Sequence, residues 1–336
     1  MDVAKLAGVS EATVSRVFNN VEPLRPDTKR KVLEAAKELN YQPNAIAQSF
    51  ARGKSGNIGV IVPYLPKVHL LSTHYFSEIL SGIGVTLGEH NQNLLLMFQS
   101  PHVSKDYVQL FRSQKVDGCI ILGSKDVPGE REEIEKLHEM GFPYCLINQT
   151  FTESSFHSID AMHYEGSFNA VSHLIQQGFS RIAFLNGPLE YSNSSERLKG
   201  YIAALNKAGI AYNQNLVHQG NYSRTSGYQL AASLATKLKE FDAIFAANDR
   251  MAIGIIQGLR EKGVNAGQDY GIVGYDDTDI ASMIQPQLSS VKVPLFEMGQ
   301  LAAKKLLTDL SKDSIESLQE RLPVTLLVRA SSQRKN

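Results

Sequence analysis

The chain has 336 residues, of which 43% are hydrophobic and 20% are charged, the composition of an ordinary globular protein. Lys and Arg number 34, and Asp and Glu also number 34, so no overall field favours nucleic acid or an anionic membrane. No apolar run approaches the ~18–20 residues of a membrane span, and the start MDVAKLAG lacks the apolar core of a signal peptide. These features predict a soluble cytoplasmic protein with no membrane partner.

Charge is unevenly distributed between the head of the chain and the rest. Residues 1–55 contain nine Lys or Arg and six Asp or Glu, which gives the head a charge of +3 and the remainder −3. A modestly basic head is compatible with a surface that binds phosphate groups, but it does not establish one.

The two cysteines give no sign of a metal site. Cys119 and Cys145 each lie inside an apolar run, which favours small buried side chains in a reducing compartment. Because no CxxC or CxxH spacing is present, we expect neither a metal nor another cofactor.

Three short helices are predicted in the first forty residues. DVAKLA (2–7) forms the first and stops at Gly8, and Ser10 is a suitable N-cap for a second helix that runs to about Phe18. Pro26 fits the first position of a third helix. The apolar stripe predicted to be buried on this third helix is Val32, Leu33, Ala36 and Leu39.

The first two helices and the turn between them have the pattern of a helix-turn-helix. In that motif the second helix enters the major groove of DNA. One side of residues 11–18 is apolar, whereas the other carries Glu11, Ala12, Ser15 and Arg16. An arginine can reach guanine, an alanine can contact a thymine methyl, and hydroxyls can bond phosphate or base. From periodicity alone, a small surface helix with incidental polar residues stays equally open.

From residue 57 onwards, short apolar runs alternate with segments of helical length. The runs are NIGVIVP, NLLLMF, VDGCIILG, FPYCLIN, RIAFLNG, FDAIFAAND and DYGIVGYDD. Buried strands that alternate with helices predict doubly wound parallel sheets with helices on both faces. Seven or more units favour two sheets and a cleft between them. Ligands of such folds bind beyond the carboxyl ends of the strands, where several of these runs end in Asn or Asp.

Two segments near the start of the sequence resemble a known protein family. DVAKLAGVSEATVSRVFNN and TKRKVLEAAKELNYQPNAIAQSF are similar to the head of the lactose-repressor/galactose-repressor (LacI/GalR) family of bacterial transcription regulators. The resemblance continues through GPLEYSNSSERLKGY, GNYSRTSGY, AANDRMAIG, VGYDDTDIASMIQPQLSSV and LPVTLLVR. It implies an all-α helix-turn-helix head joined to an α/β core. That core would contain two doubly wound parallel-sheet subdomains of the periplasmic-binding-protein type.

The resemblance divides the chain into three parts. Residues 1–42 would form the helix-turn-helix DNA-binding domain, 43–56 the hinge helix and linker, and 57–336 the effector-binding and dimerisation core. Within the core, the N-subdomain is expected at about 57–156 and 293–320, and the C-subdomain at about 157–290 and 321–332.

The resemblance also implies three sets of DNA contacts. The sets are Glu11, Ala12 and Arg16 for reading bases, Thr13, Ser15 and Asn19 for phosphates, and Asn44, Ala47 and Phe50 of the hinge helix for the minor groove. Phe50 stands where the family usually has a leucine wedge. A phenylalanine can still open a base step, and packing against the core is the alternative. Arg25 stands where the family often has a serine cap on the third helix.

Five residues match the family's effector-binding positions. They are Arg197, Asn248, Asp276, Tyr222 and Asn148, all near the ends of predicted strands. An arginine, an aspartate, two asparagines and an aromatic plate suit a polyol, because they offer paired hydrogen bonds and a stacking face. Simpler roles stay open: Asn248 could be a helix N-cap, with Asp249 as the competing cap, and Tyr222 could be an ordinary core aromatic.

One segment departs from the family pattern. PYLPKVHLLSTHYFSEIL (63–80) is longer than the corresponding stretch and places several aromatic and histidine side chains at the expected mouth of the cleft. We expect residues 63–76 to set the choice of effector. A surface excursion or a part of the dimer face is the alternative.

The residues and the resemblance together favour a homodimeric repressor. It would bind palindromic double-stranded operator DNA, with an affinity set by a small sugar or sugar derivative in the cleft. A corepressor or a partner protein could control it instead, and a sugar-binding protein without a DNA role is a weaker alternative. Catalysis is not expected, and no catalytic residue is assigned. GIGVTLG (82–88) lies within a predicted helix, and no G-x-S-x-G, P-loop or H-E-x-x-H motif is present.

Overall fold

A computed structural model describes residues 2–19, 21–42, 53–64, 69–100, 105–311 and 318–334. It begins with three helices, α1 at Asp2–Ala7, α2 at Glu11–Phe18 and α3 at Pro26–Glu38. The sequence prediction for all three is confirmed. Within the described ranges, no helix is both long and apolar enough to cross a bilayer.

The turn between α1 and α2 follows from local chemistry. Gly8 has a φ of 65°, a left-handed conformation that glycine adopts at little cost. The Ser10 side chain accepts a hydrogen bond from the Thr13 amide at 3.2 Å and so caps α2 as predicted. Pro26 occupies the first turn of α3, whose N-cap residue Arg25 makes no capping hydrogen bond through its side chain.

The core of the head is narrower than the sequence suggested. Val3, Val17, Val32, Ala35 and Ala36 are buried against one another. The predicted apolar stripe was wrong at two positions, because Leu33 on α3 and Leu39 just after it are 46% and 43% exposed. The two short helices cover only the face of α3 that carries positions 32, 35 and 36, so neighbouring positions stay in solvent.

The first α/β unit contains a six-stranded parallel sheet. Its strands are β1 at Asn57–Pro63, β2 at Asn93–Gln99, β3 at Gly118–Leu122, β4 at Tyr144–Ile147, β5 at Ser158–Ala161 and β11 at Gln319–Leu322. They are arranged in the order β11-β5-β4-β3-β1-β2. The helices that cover this sheet are α4 at His74–Glu89, α5 at Tyr107–Arg112, α6 at Pro128–Glu139 and α12 at Leu295–Asp309. A 3-10 turn at Leu70–Ser72 precedes α4.

The second α/β unit repeats this plan. Its strands are β6 at Ile182–Asn186, β7 at Val217–Gln219, β8 at Ala243–Ala246, β9 at Gly271–Asp276, β10 at Ser289–Lys292 and β12 at Thr325–Leu327. Their order is β12-β10-β9-β8-β6-β7, and only β12 runs antiparallel to its neighbour. Its helices are α7 at His163–Gln176, α8 at Ser192–Lys207, α9 at Arg224–Ala235, α10 at Asp249–Arg260 and α11 at Asp279–Met283, and two 3-10 turns lie at Gln214–Leu216 and Ala330–Ser332.

The seven apolar runs became β1, β2, β3, β4, β6, β8 and β9, which confirms two doubly wound sheets. β2 was predicted to be buried but lies at the sheet edge, with Phe98 51% exposed. β5 pairs within the first sheet, a few residues beyond the boundary predicted at 156/157. The chain passes between the sheets three times, after β5, after β10 and after β11.

Both cysteines are free and buried. They lie on neighbouring strands and belong to different apolar clusters, because Cys119 packs with the α5/α6 side and Cys145 with the α4/α12 side. Burial raises the pKa of the Cys145 thiol to about 12, so the thiol stays protonated near neutral pH. Among the described residues, no group of three or more His, Cys, Asp or Glu could hold a metal ion.

Candidate functional site

The helix α2 exposes one polar face. Glu11, Ala12, Ser15 and Arg16 are exposed, whereas Val17 on the opposite side is 3% exposed and packs into the head. The Arg16 guanidinium donates a hydrogen bond to the Pro23 carbonyl at 3.3 Å. This long, exposed bond leaves the guanidinium able to reorient toward another acceptor.

The three predicted phosphate contacts lie on or next to the same helix. The Thr13 hydroxyl is 2.9 Å from the Ser10 hydroxyl. The Asn19 amide donates to the Ser15 carbonyl at 2.9 Å and holds the end of α2. The predicted hinge-helix residues Asn44, Ala47 and Phe50 lie outside the described residues.

Between the two α/β units, Arg197 is the central buried cation. It lies on α8 and is 4% exposed. Its guanidinium donates to the Ala247 carbonyl at 2.9 Å and stacks over the Tyr275 ring, 4.0 Å from the ring centroid. Its Nε has no hydrogen-bond partner within the described part of the chain. Buried donors are rarely left unpaired, so this one marks a place for a ligand or a water.

Asp276 lies at the tip of β9, close enough to Arg197 to feel its charge. Its backbone has a φ of 99°, a conformation that is rare for residues other than glycine and that often occurs at functional sites. In the described ranges no hydrogen bond to its carboxylate is found. Burial raises the pKa of this carboxyl to about 7, while the charge of Arg197 opposes the shift and Asp249 adds to it.

Asn248 and Tyr222 are held firmly by the protein itself. Asn248 rather than Asp249 caps α10: its Oδ1 accepts from the Met251 amide at 2.9 Å, and its Nδ2 donates to the Tyr222 carbonyl at 3.1 Å. The Tyr222 hydroxyl bonds Asn193 at 2.9 Å. The Tyr222 ring covers Gly187 so closely that a Cβ there would lie 2.1 Å from the ring. Tyr222 is therefore a fixed plate.

Asn148 contacts His163, a residue that the sequence did not point to as part of the site. The Asn148 side chain contacts the Tyr75 hydroxyl at 3.3 Å and His163 Nε2 at 3.0 Å. His163 is completely buried, and its Nδ1 lies 3.2 Å from the Tyr275 hydroxyl and 3.3 Å from the Arg197 guanidinium. Because Nδ1 faces these donors, His163 is a neutral imidazole with its proton on Nε2. Burial and the charge of Arg197 lower its pKa, which favours the same state.

This buried network joins the two α/β units. Tyr75 and Asn148 come from elements of the first unit, whereas His163, Arg197 and Tyr275 come from the second. Tyr75 lies within the long segment that was expected to influence effector choice. His163 gave no usable signal in the sequence, because its partners lie as far as 112 positions away.

Family models match both parts of the chain. The model for bacterial regulatory proteins of the lacI family matches residues 1–44, and a periplasmic binding protein-like domain matches residues 171–332. Catabolite control protein A of Priestia megaterium is 31% identical over 334 residues, which is 98% of each chain. The chain belongs to the lacI family of bacterial regulatory proteins. The transcriptional regulator AscG of Escherichia coli (strain K12) is 35% identical to this lacI-family regulator and aligns with 89% of it and 88% of its own length.

Solved structures of the lacI family share the whole architecture. The lac repressor dimer bound to operator and the anti-inducer ONPF superposes on this lacI-family regulator with a TM-score of 0.84, at 29% identity and 98% coverage of both chains. The complex of the transcriptional regulator CelR with cellobiose gives a TM-score of 0.73, at 30% identity and the same coverage. Both expectations, of the family and of the fold, are thereby confirmed.

Proposed function

We propose that this lacI-family regulator is a homodimeric repressor of a palindromic operator, controlled by a sugar or sugar derivative between its two α/β units. The observation that carries the effector proposal is the pairing of Arg197 and Asp276. One is a buried cation with an unused donor, and the other is a half-buried carboxyl at the tip of β9 that has no hydrogen-bond partner in the described residues. Vicinal hydroxyls of a sugar can accept from the first and donate to the second.

The DNA proposal rests on the exposed polar face of α2. Glu11, Ala12 and Arg16 would read bases in the major groove, while Thr13, Ser15 and Asn19 would contact phosphates. The lac repressor dimer is seen on its operator, and by likeness two heads of this chain would bind two half-sites. The proposed head spans residues 1–42 and the proposed hinge spans 43–56, which includes Asn44, Ala47 and Phe50 as minor-groove contacts.

Dimerisation is supported by exposed apolar side chains on both α/β units. Leu71, Val85 and Phe98 of the first unit are 46–56% exposed, and Ile280 and Met283 of the second are 54% and 73% exposed. A second copy of the chain can cover such side chains through a two-fold axis. Sedimentation of the full chain tests this part of the proposal directly.

The whole proposal is tested by selecting duplexes from a random pool and titrating the best one by fluorescence anisotropy. A panel of sugars is then added to the preformed complex. A palindromic consensus and release by one sugar would support the proposal. Tighter DNA binding in the presence of the sugar would indicate a corepressor instead. Failure to enrich any sequence would contradict the DNA role.

Replacing Arg16 by alanine is expected to weaken binding to the selected duplex by about 10–100-fold, since one good base contact is worth ~1–3 kcal/mol. It should also relax the preference at one base position. Lys37→Ala removes the same charge from exposed α3 and is the matched control. Equal losses for Arg16→Ala and Lys37→Ala would show that only the overall charge of the head matters.

Effector binding is expected to depend on pH through Asp276. The ionised carboxylate accepts hydroxyl hydrogen bonds, but the ligand-free carboxyl has a pKa of about 7. The dissociation constant should therefore be constant above pH 8 and rise by up to about tenfold per unit below pH 7. Calorimetry at several pH values measures this. Asp276→Asn should flatten the profile, whereas a profile that survives this change would assign the titration to Asp249 or another group.

A further inference from the structure

A cluster of charged side chains lies where the two α/β units meet. Arg321 on β11 and Asp160 on β5 belong to the first unit, and Glu196 on α8 belongs to the second. The Arg321 guanidinium is 2.5 Å from Glu196 Oε1 and 3.7 Å from Asp160 Oδ2. One cation is therefore shared between a carboxylate of its own unit and a carboxylate of the other unit.

Arg321 makes a hydrogen bond to Glu196 but only a longer electrostatic contact with Asp160. The distance to Glu196 is that of a charge-assisted hydrogen bond, whereas the distance to Asp160 exceeds hydrogen-bond range. Asp160 is 1% exposed, and its Oδ2 has no hydrogen-bond partner among the described residues. A buried carboxylate oxygen without a donor is unfavourable. Asp160 is thus left unsatisfied while Arg321 bonds the other unit.

A second pairing is available to the same arginine. Arg321 and Asp160 are in register on neighbouring parallel strands, so their backbones stay adjacent whatever the position of the second unit. Glu196 approaches Arg321 only when the two units are in contact. When the units part, Arg321 loses Glu196, and a side-chain rotation completes the bond to Asp160. The cluster therefore has two discrete pairings, one for each arrangement of the units.

Asp160 connects this cluster to the effector cluster. Its Oδ1 is 3.4 Å from His163 Nε2, and the Nδ1 of His163 contacts the Arg197 guanidinium at 3.3 Å. Glu196 directly precedes Arg197 on α8. The bond between Arg321 and Glu196 therefore tethers the helix that carries Arg197 to the first sheet.

We propose that Arg321 and Glu196 form a latch between the two α/β units, with Asp160 as the competing partner that receives Arg321 when the units part. The latch itself needs no ligand. Its second role is to position Arg197 against the first unit, and this role rests on the proposed sugar-controlled function. A sugar that contacts both units binds more tightly when the latch is closed.

Hydrogen exchange on the ligand-free full chain measures the latch at two backbone amides that bond across the units. The Asp126 amide donates to the Glu190 carbonyl at 2.8 Å, and the Thr150 amide donates to the Ser192 hydroxyl at 2.9 Å. Both amides lose these acceptors when the units part, so their exchange rates report the parting. The Cys119 amide, whose acceptor lies within the first unit, is the reference.

Glu196→Gln should raise exchange at both reporting amides by about two- to fivefold, the effect of losing one partly exposed ion pair. Asp160→Asn should lower it by a similar factor, because Arg321 then has no competing partner within its own unit. Opposite signs distinguish the latch from general damage to the fold, which would raise exchange in both variants. Glu133→Gln is the matched control and should change neither amide, since Glu133 is paired with Lys136 inside α6 and its side chain is 14% exposed, against 15% for Glu196.

Two further measurements connect the latch to its partners and to the effector. In the double variant Glu196→Gln/Arg321→Gln, exchange should match that of Arg321→Gln alone, because one ion pair can be broken only once. Calorimetry with glucose, ribose and cellobiose follows effector binding. For whichever sugar binds, Glu196→Gln should weaken binding by about two- to fivefold, and Asp160→Asn should strengthen it.

Several results would overturn the latch. Unchanged exchange of the two reporting amides in Glu196→Gln would do so, as would faster exchange in Asp160→Asn. If exchange shifts as expected but no sugar binds and Arg197→Ala changes nothing, the latch stands and the sugar-controlled function fails. If exchange shifts and sugar binding depends on Arg197 but not on Glu196, the latch stands without its role in positioning Arg197.

Discussion

Replacing Gly82 by alanine is expected to lower the free energy of unfolding by about 3 kcal/mol or more, at the upper end of overpacking effects. Gly82 lies on α4, where an added Cβ would fall 2.0 Å from the carbonyl oxygen of Phe296 on α12. The contact is reciprocal, because a Cβ at Gly299 on α12 would fall 2.2 Å from the Ile79 carbonyl oxygen. The clash is with backbone on both sides, so no side-chain rotation relieves it.

Gly84 provides the matched control on the same helix. A Cβ at Gly84 meets no atom within 4 Å. Gly84→Ala should therefore stabilise the protein by about 0.5–1 kcal/mol through helix propensity. Urea unfolding of both variants measures the difference, with circular dichroism as the signal. If the two substitutions shift the midpoint in the same direction, the close approach of α4 and α12 is not what constrains Gly82.

The second unit uses the same close approach between α9 and α10. A Cβ at Gly227 would lie 2.1 Å from the Met251 carbonyl oxygen, and one at Gly254 would lie 2.1 Å from the Arg224 carbonyl oxygen. In GIGVTLG of the first unit, only Gly82 lies at such a helix contact, since a Cβ at Gly84 or Gly88 would meet nothing within 4 Å. The segment lies inside α4, which agrees with the prediction that it is not a dinucleotide loop.

Fold class could be predicted because the central strands are buried on both faces and are therefore continuously apolar. Two of the strands that the apolar runs did not predict, β5 and β10, read SIDA and SSVK, and their serine and aspartate side chains are buried. Ser290 donates to Asp249 at 2.6 Å, and Ser289 donates to the Arg329 carbonyl at 3.0 Å. Burial of a satisfied polar group leaves no apolar signature in the sequence. For the edge strand β2 the error was the opposite one: its apolar sequence predicted burial, but Phe98 is exposed.

The candidate site was also only partly predictable from the sequence. Strand tips are predictable, since the carboxyl edge of a parallel sheet is where ligands bind, and this rule alone brought Asn148 and Asp276 into consideration. The hydrogen bonds that each side chain makes within the folded protein are not predictable from one sequence. Asn248 has both of its polar side-chain atoms engaged as a cap and a tether, and His163 joins elements that are far apart in the chain.

Replacing Arg197 by alanine is expected to weaken sugar binding by about 10–100-fold, because the charge-assisted hydrogen bond from its unpaired Nε is lost, at ~1.5–3 kcal/mol. Operator affinity without sugar should stay within about twofold, since α2 is untouched. The variant would therefore stay on DNA at sugar concentrations that release the unsubstituted protein. Anisotropy of the operator complex during a sugar titration measures both quantities in one experiment.

The structural role of Arg197 makes the choice of controls decisive. Arg197 also holds the Ala247 carbonyl and stacks on Tyr275, so Arg197→Ala leaves a hole as well as removing a charge. Arg197→Lys keeps the charge without the planar stack, and it should bind sugar more weakly than the unsubstituted protein but better than Arg197→Ala. Arg181→Ala removes an exposed guanidinium paired with Asp242 in the same unit and should leave sugar affinity unchanged.

If Arg197→Ala loses operator binding and sugar binding together, the arginine acts by supporting the fold. If it loses sugar binding alone, Arg197 acts as a contact to the sugar.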